Sequence, residues 1–333
     1  MSGPRIIAEA GVNHNGSRER ALEMVDAAAA AGADVVKFQS FDPVSLVSAG
    51  AVKADYQEKQ TGSGTQLDML AALTLDEAAH AALLRRCAER GIAFLSTPFD
   101  VRSVGLLASL GVREYKLPSG EITDLPVLRA VAGFAESVLL STGMATLEEI
   151  GAALDALEAA GLPRDRVTLL HCTTEYPAPI DEVNLLAMRE LADTFGVPVG
   201  YSDHTEGIEV AIAAAALGAV VIEKHFTLDR TLPGPDHAAS IEPDELAALV
   251  SATAKVARAL GTGHKAPTPS ELRNAPVVRK SIVAARAIEA GEAFTAENLT
   301  AKRPGTGLSP MVWDSVMGRV AARRFEADEA IEL

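Results

Sequence analysis

Ser17–Gln39, SRERALEMVDAAAAAGADVVKFQ, holds one complete helix–strand unit. Ser17 stands just before RERALEMV, where a hydroxyl can accept from the free N–H groups of a first helical turn. Gly32 follows the last helical residue, where a left-handed conformation ends a helix cheaply. The apolar spacing then changes, and Asp34–Gln39 (DVVKFQ) is a short β-branched run that closes on polar residues.

The same unit recurs outward in both directions. Further strand-like runs are Arg5–Glu9, Ile92–Thr97, Glu114–Leu117, Ser137–Thr142, Val167–Cys172, Val197–Ser202 and Val220–His225. Helical patterns fall at roughly 17–31, 76–90, 101–110, 124–134, 146–161, 183–195, 207–217 and 243–261, with Thr74 and Thr146 as further start signals. Gly91, Gly111, Gly161, Gly196 and Gly218 supply further stops. Eight strand–helix units in strict alternation predict an α/β chain folded as a (β/α)8 TIM barrel over residues 1–261. A doubly wound open sheet is the runner-up, but GVNHNG after the first strand matches its Gly-rich phosphate fingerprint poorly. The connection Ser40–Leu73 is long for a barrel loop and carries apolar pieces such as QLDMLAAL, which marks it as functional or as a cover. Residues 262–277 are rich in Gly, Pro and polar residues and read as a linker. Residues 278–333 hold short β-like pieces (KSIVAAR, EAFT, LTAKRP, RVAARRF) and predict a small all-β domain.

The 333 residues carry a formal net charge of −15, with 48% hydrophobic and 23% charged residues, a globular composition. Such an acidic surface argues against nucleic acid and against anionic membranes. An anionic substrate would then need local positive charge built into its site. MSGPRIIAEAG has no apolar core of secretory length, no run suits a transmembrane span, and the two cysteines, Cys87 and Cys172, stand outside any metal or redox spacing. These features predict a cytoplasmic, reduced protein.

A barrel places chemistry at the C-terminal ends of its strands. Those ends here are polar on every strand: Glu9; Lys37 and Gln39; Ser96 and Thr97; Lys116, Ser119 and Glu121; Ser141 and Thr142; His171, Thr173 and Thr174; Ser202, Asp203 and His204; Glu223 and His225. Helix capping accounts for part of the hydroxyls, but not for the lysines, glutamates and histidines. His204 and His225 follow neighbouring strands spaced about 4.8 Å apart, so two imidazoles at matching heights can share one ion. Two neutral imidazoles with oxygen donors suit Mn²⁺, with Mg²⁺, Co²⁺ or Zn²⁺ as alternatives. His14, His171 and His237 stay open, while His80 and His264 read as surface residues. Lys37 and Lys116 sit inside apolar strands, where an ammonium is costly without an anion. An anionic substrate, held also by Thr97, Ser119, Ser141 and Ser202, is the economical reading. Internal pairing with Glu9 or Glu121, or a Schiff-base lysine of an aldolase, are the alternatives.

At these residues the chain resembles the sialic acid synthase family of N-acetylneuraminate, legionaminate and pseudaminate synthases. The matching pieces are IIAEAGVNHNG, GADVVKFQSF, FLSTPFD, YKLPSGE, LLSTGMAT, LLHCTTEYPAP, GYSDHT, EKHFT and RTLPGPDHAAS. RKSIVAARAIEAGE, NLTAKRPGTG and SPMVWDSVMG resemble the family's antifreeze-like (SAF) domain, so the likeness runs in order over nearly the whole chain.

The resemblance implies condensation of phosphoenolpyruvate (PEP) and water with an N-acyl amino sugar, giving a nonulosonic acid and phosphate. N-acetylmannosamine is the first expectation for the sugar. A diacetamido-trideoxy hexose of the legionaminate or pseudaminate route is the alternative. TEYPAP and SPMVW lie nearer the neuraminate and legionaminate branch. Carried over, PEP meets Lys37, Lys116, Thr97, Ser119, Ser141 and Ser202, and His204 and His225 hold the metal. Glu9 and Glu121 face the sugar as candidate acid–base groups, beside Gln39, Tyr176 and Asp236. Arg303 of the KRPG motif reaches a partner subunit's sugar pocket in a domain-swapped homodimer. Thr174 departs from the pattern, since some members place asparagine there as a PEP contact. Two other readings compete: a PEP-condensing barrel for an aldose phosphate, which would need a second basic cluster, and a silent or ice-interacting module suggested by the tail.

Overall fold

The computed structural model describes residues 3–48 and 50–333, which divide into two compact units, 1–261 and 262–333. The first unit contains eight parallel strands: β1 Arg5–Gly11, β2 Val35–Ser40, β3 Ala93–Pro98, β4 Glu114–Leu117, β5 Ser137–Ser141, β6 Val167–His171, β7 Val199–Asp203 and β8 Val221–His225. Their hydrogen-bonded order is β3-β2-β1-β8-β7-β6-β5-β4, and β3 and β4 lie side by side to bring the ring near closure. Helices lie between successive strands, as the alternating pattern predicts.

Period-two alternation makes the barrel both a core and a site. Ile7, Val35, Leu95, Leu139, Leu170 and Val221 pack together as one buried layer inside the ring. A step of two residues toward the C-terminal end keeps the same face of each strand. From those six positions it reaches Glu9, Lys37, Thr97, Ser141, Cys172 and Glu223. A polar tier therefore stands directly on an apolar one. The intervening residues face outward. Ile6, Ala8, Val36, Phe38, Tyr115, Tyr201 and Ile222 join the larger core under the helices. Helix residues Leu83, Leu107 and Leu154 are fully buried in that outer core, each contributing about 2 kcal/mol. Gly200 stands where β7 meets its neighbours. A methyl group there would lie 2.5 Å from the Val221 carbonyl oxygen and 2.7 Å from Leu170, so only glycine fits.

Local signals explain the element ends. Ser17 caps the helix Arg18–Ala30 by accepting from the Arg20 N–H, and Gly91 ends the helix Glu77–Arg90 in the left-handed region. The cap of that second helix is Asp76, which accepts from the Ala79 N–H, and not Thr74. The Thr74 hydroxyl instead donates back to the Leu70 carbonyl, ending the preceding helix Gln66–Leu73. The helix expected from 183 starts only at Ala187, after a short 3₁₀ turn at Ile180–Glu182.

His80, expected on the surface, is 1% exposed. Its Nε2 lies 2.8 Å from the Ser40 hydroxyl, which in turn lies 2.7 Å from that of Ser96, tying β2 and β3 to the helix behind them. His264 is exposed.

In the second unit, residues 262–277 do more than link. Thr268 caps an exposed helix, Pro269–Val278. Beyond it β9 (Ser281–Ala284) pairs antiparallel with β10 (Leu299–Lys302). The other β-like pieces contribute only single bridges, Ala293 to Val320 and Ile288 to Phe325. Its own core gathers Ile282, Ile288, Phe294, Leu299, Val316, Phe325 and Ile331.

No helix among the described residues is long and apolar enough to cross a membrane.

Candidate active site

The polar tier opens into a cavity of about 330 Å³ at the C-terminal ends of the strands. Glu9, Lys37, Gln39, Thr97, Lys116, Ser119, Glu121, Ser141, Thr174, Tyr176, Ser202, His204, His225 and Asp236 all line it. Arg303 belongs to the second unit, where it is exposed just after β10. His14, His171 and His237 are not among the lining residues and are held elsewhere. Gly16 N–H donates to His14 Nδ1, His171 Nε2 lies 2.7 Å from the Val183 carbonyl, and His237 Nδ1 lies 2.7 Å from the Thr227 hydroxyl.

At the floor, strand register sets the ion pairs. Glu9 is level with Lys37 on one side and with His225 on the other, and Ser202 is level with Glu223. Lys37 Nζ lies 2.9 Å from Glu9 Oε2 and 3.6 Å from Glu223 Oε2, and it donates to the Thr97 hydroxyl at 3.0 Å. Lys116 Nζ lies 3.5 Å from Glu223 Oε1, which also accepts from Ser202 at 2.9 Å. Glu223 is therefore the shared counterion of both lysines. Sequence reasoning noticed it at a strand end but named Glu9 and Glu121 as the internal partners. Glu9 does pair with Lys37, whereas Glu121 makes no ion pair among the described residues. The available signal was the spacing in VIEKH, which puts Glu223 on the face of His225 and level with Ser202. Lys224, between them, points to the opposite face, where it pairs with buried Asp203 at 2.7 Å.

Burial and charge then divide these groups by protonation. Burial raises Glu9 well above the usual carboxylate range although Lys37 pulls it down. Burial would raise Glu223 as well, but Lys116, Lys37 and the Ser202 hydroxyl outweigh it and hold that carboxyl low. Burial lowers Lys116 against the pull of Glu223, while Lys37, with two carboxylates, is raised. Glu121 is pushed up to about 7, first by burial and then by Asp124, and its Oε2 is a buried acceptor without a partner among the described residues. Burial raises Asp236 to about 6.

Beside the lysines, the His204 and His225 rings lie 5.7 Å apart between centroids, with Tyr176 4.2 Å from the first and 5.6 Å from the second. His204 Nδ1 lies 2.6 Å from the Thr173 carbonyl, which requires the proton on Nδ1 and leaves Nε2 as a lone-pair donor. Burial lowers His204 to about 4 and His225 well below its usual value, so both are neutral at pH 7. His225 Nδ1 is buried without a hydrogen-bond partner among the described residues. Two neutral imidazoles, one oriented from behind as metal-binding histidines are, fit a divalent cation whose other ligands are oxygens. No cluster of three or more His, Cys, Asp or Glu suited to a metal occurs among the described residues. The fit is thus to an open site with two protein nitrogens.

Ser119 and Thr174 border the cavity beside Gly143. The Gly143 N–H donates to the Ser119 hydroxyl at 2.9 Å, and a methyl added at Gly143 would lie 2.3 Å from Thr174 Oγ1. Ser141 Oγ is buried without a partner among the described residues, a hydroxyl in need of an acceptor. The segment after β2, expected from its length and apolar pieces to be functional or a cover, supplies one further wall. Phe41, Leu46, Met69, Leu70 and Leu73 line the cavity from that side.

The model of the NeuB family matches residues 24–265, and that of the SAF domain residues 279–332. The N,N'-diacetyllegionaminic acid synthase of Campylobacter jejuni subsp. jejuni serotype O:2 is 51% identical over 327 residues, covering 98% of each chain. That of Legionella pneumophila subsp. pneumophila is 46% identical, covering 94% of this chain and 89% of its own. Among solved structures, the N-acetylneuraminic acid synthetase of Leptospira borgpetersenii serovar Hardjo-bovis superposes with a TM-score of 0.71 at 36% identity, over 82% of this chain and 90% of its own.

Proposed function

This chain belongs to the NeuB family, and from that premise we propose that it condenses PEP and water with 2,4-diacetamido-2,4,6-trideoxymannose, giving N,N'-diacetyllegionaminic acid and phosphate. The observation that carries the reading is the pair Lys37 and Lys116, both bound to one carboxylate, Glu223, in the cavity that holds His204 and His225. The choice of sugar reverses the order expected from sequence, which put N-acetylmannosamine first. Both diacetyllegionaminic acid synthases share more of the sequence than the solved N-acetylneuraminic acid synthetase does. The aldolase alternative falls with family membership, although burial depresses Lys116 in the sense a Schiff-base lysine needs.

In this reading Lys37 and Lys116 hold the carboxylate and phosphate of PEP, with hydroxyls from Thr97, Ser119, Ser141 and Ser202 completing the cradle. Glu223 keeps both ammonium groups charged and aimed inward before PEP arrives. C3 of PEP attacks the aldehyde carbon of the open sugar, water adds at C2, and C–O cleavage releases phosphate and leaves a 2-keto acid. Glu9 and Glu121, both raised by burial, can exchange a proton near neutral pH with the sugar or with the attacking water. Gln39 donates to Glu9 Oε1 at 3.2 Å and fixes the orientation of that carboxyl. Tyr176 and Asp236 face the same space from the other wall. His204 and His225 would hold a divalent ion, Mn²⁺ by preference, which supplies Lewis-acid polarisation of the sugar aldehyde when bound. Holding both substrates together in one mouth supplies much of the rate gain. The two free cysteines, Cys87 and Cys172, are both buried, which suits the cytoplasmic setting.

Phosphate release measured with PEP and each candidate sugar tests the reading. Turnover of the diacetamido-trideoxy sugar should exceed that of N-acetylmannosamine at equal concentration, and the reverse order would replace the assignment with neuraminate synthesis. We further propose that Arg303 completes the sugar site of a second subunit in a domain-swapped homodimer. Arg303→Ala should then raise KM for the sugar by about tenfold, the value of one charged hydrogen bond, with sedimentation showing a dimer. A monomer at working concentration with an unchanged sugar KM would remove the idea.

A further inference from the structure

The cavity is polarised from floor to roof, and the roof is built by one segment. Residues 41–73 contribute six apolar side chains and only two polar ones, Gln57 and Gln66, to the lining among the described residues, and no charge. Phe41, Met69 and Leu73 form a small separate core with Val12, against which Leu46, Leu70 and Phe99 pack. Phe41 meets Phe99 edge to face, with centroids 6.1 Å apart. These side chains therefore form a packed surface. Phe41, Met69 and Leu73 are 7–8% exposed, the fraction that remains for whatever enters the cavity.

We propose that this apolar wall is the specificity determinant for a 6-deoxy sugar: it takes the C6 methyl group and discriminates against a C6 hydroxyl. The inference rests on the PEP-condensing reading of the floor. The reacting aldehyde must lie over PEP, near the lysines and histidines, so the far end of the sugar is directed away from that polar floor. A methyl group placed against Leu46, Met69 and Leu70 loses apolar surface to protein and needs no partner. A hydroxyl in the same place gives up its water, and Leu46, Met69 and Leu70 offer it no hydrogen-bond partner. Gln57 and Gln66 bring the wall two carboxamides, Gln66 Nε2 donating to Gln57 Oε1 at 3.5 Å. Their chemistry matches the N–H and C=O of an acetamido substituent, and the proposed sugar carries one more such group than N-acetylmannosamine.

The test compares two sugars that differ only at C6: 2,4-diacetamido-2,4,6-trideoxymannose and 2,4-diacetamido-2,4-dideoxymannose, each at saturating PEP. The 6-deoxy sugar should show kcat/KM about 10- to 100-fold higher, the range over which apolar pockets discriminate. Leu70→Gln should shrink that ratio several-fold by giving the hydroxyl a partner. Leu46→Gln, from a different helix, serves if a melting curve shows the first variant unfolded. Equal kcat/KM for the two sugars in the wild-type enzyme overturns the proposal and leaves the diacetamido reading standing. Turnover of N-acetylmannosamine with neither diacetamido sugar accepted overturns both.

Discussion

Lys116→Met is expected to raise KM for PEP by about 30- to 3000-fold. The magnitude follows from the cost of removing one partner of a buried charge pair, about 2–5 kcal/mol at tenfold per 1.4 kcal/mol. Methionine matches the length of the lysine stem, so packing against the barrel interior changes little. What is lost is one of the two cations that meet the PEP anion. Lys116 is 4% exposed and has a single ion-pair partner, Glu223 at 3.5 Å. Glu223 keeps Lys37 and the Ser202 hydroxyl, so the fold survives the change. Lys37 is the poorer choice for this experiment. It is bound to Glu9, Glu223 and Thr97 together, and its loss would leave buried Glu9 without an ion-pair partner among the described residues and confuse binding with stability. Steady-state phosphate release at saturating sugar reads the effect, and a PEP KM unchanged within twofold would remove Lys116 from the anion site.

The ring of strands was legible because alternation is a one-residue rule. DVVKFQ, VTLLH and VIEKH each show apolar residues giving way to polar ones at a fixed phase, and the fold turns that phase into an inward face. The histidine pair and both lysines were legible for the same reason. Glu223 escaped because its partner cannot be read from its own strand. It is selected by register across β7, β8 and the lysine strands, a relation between segments distant in sequence. His80 was misread because an isolated histidine on a helix carries no sign of what lies above it. Here that is a hydroxyl pair, Ser40 and Ser96, on the outward face of β2 and β3. The helix Pro269–Val278 was hidden by composition: two prolines and an almost wholly exposed surface deny it an amphipathic pattern, and its Thr268 cap with Glu271 is the signal that marks its start. The apolar wall at 41–73 was audible only as QLDMLAAL inside an apparent loop. That it faces the cavity depends on how the segment folds back over the mouth.

Removal of divalent metal with EDTA is expected to lower kcat by about a thousandfold, with Mn²⁺ restoring it. Polarising an aldehyde for attack by the weakly nucleophilic C3 of an enol phosphate is a demand the residues around this mouth meet poorly by themselves. Lys37 and Lys116 are engaged by carboxylates, and Lewis-acid assistance is typically worth several kcal/mol in such a site. His204 and His225 are neutral by burial, and the Thr173 carbonyl fixes which nitrogen of His204 is free. Two buried imidazoles side by side, with His225 Nδ1 lacking a hydrogen-bond partner among the described residues, carry a desolvation cost that a shared cation offsets. His225→Ala should therefore abolish activity and one Mn²⁺ site per chain, measured by calorimetry without either substrate, while the melting temperature moves by only a few degrees. The binding measurement separates the two roles open to His225. A purely structural histidine would lower the melting temperature with Mn²⁺ binding intact, whereas a ligand would lose the ion and keep the fold. Full activity after exhaustive EDTA treatment would deny the imidazole pair any part in the reaction and leave the aldehyde to Lys116 or to a protonated Glu121.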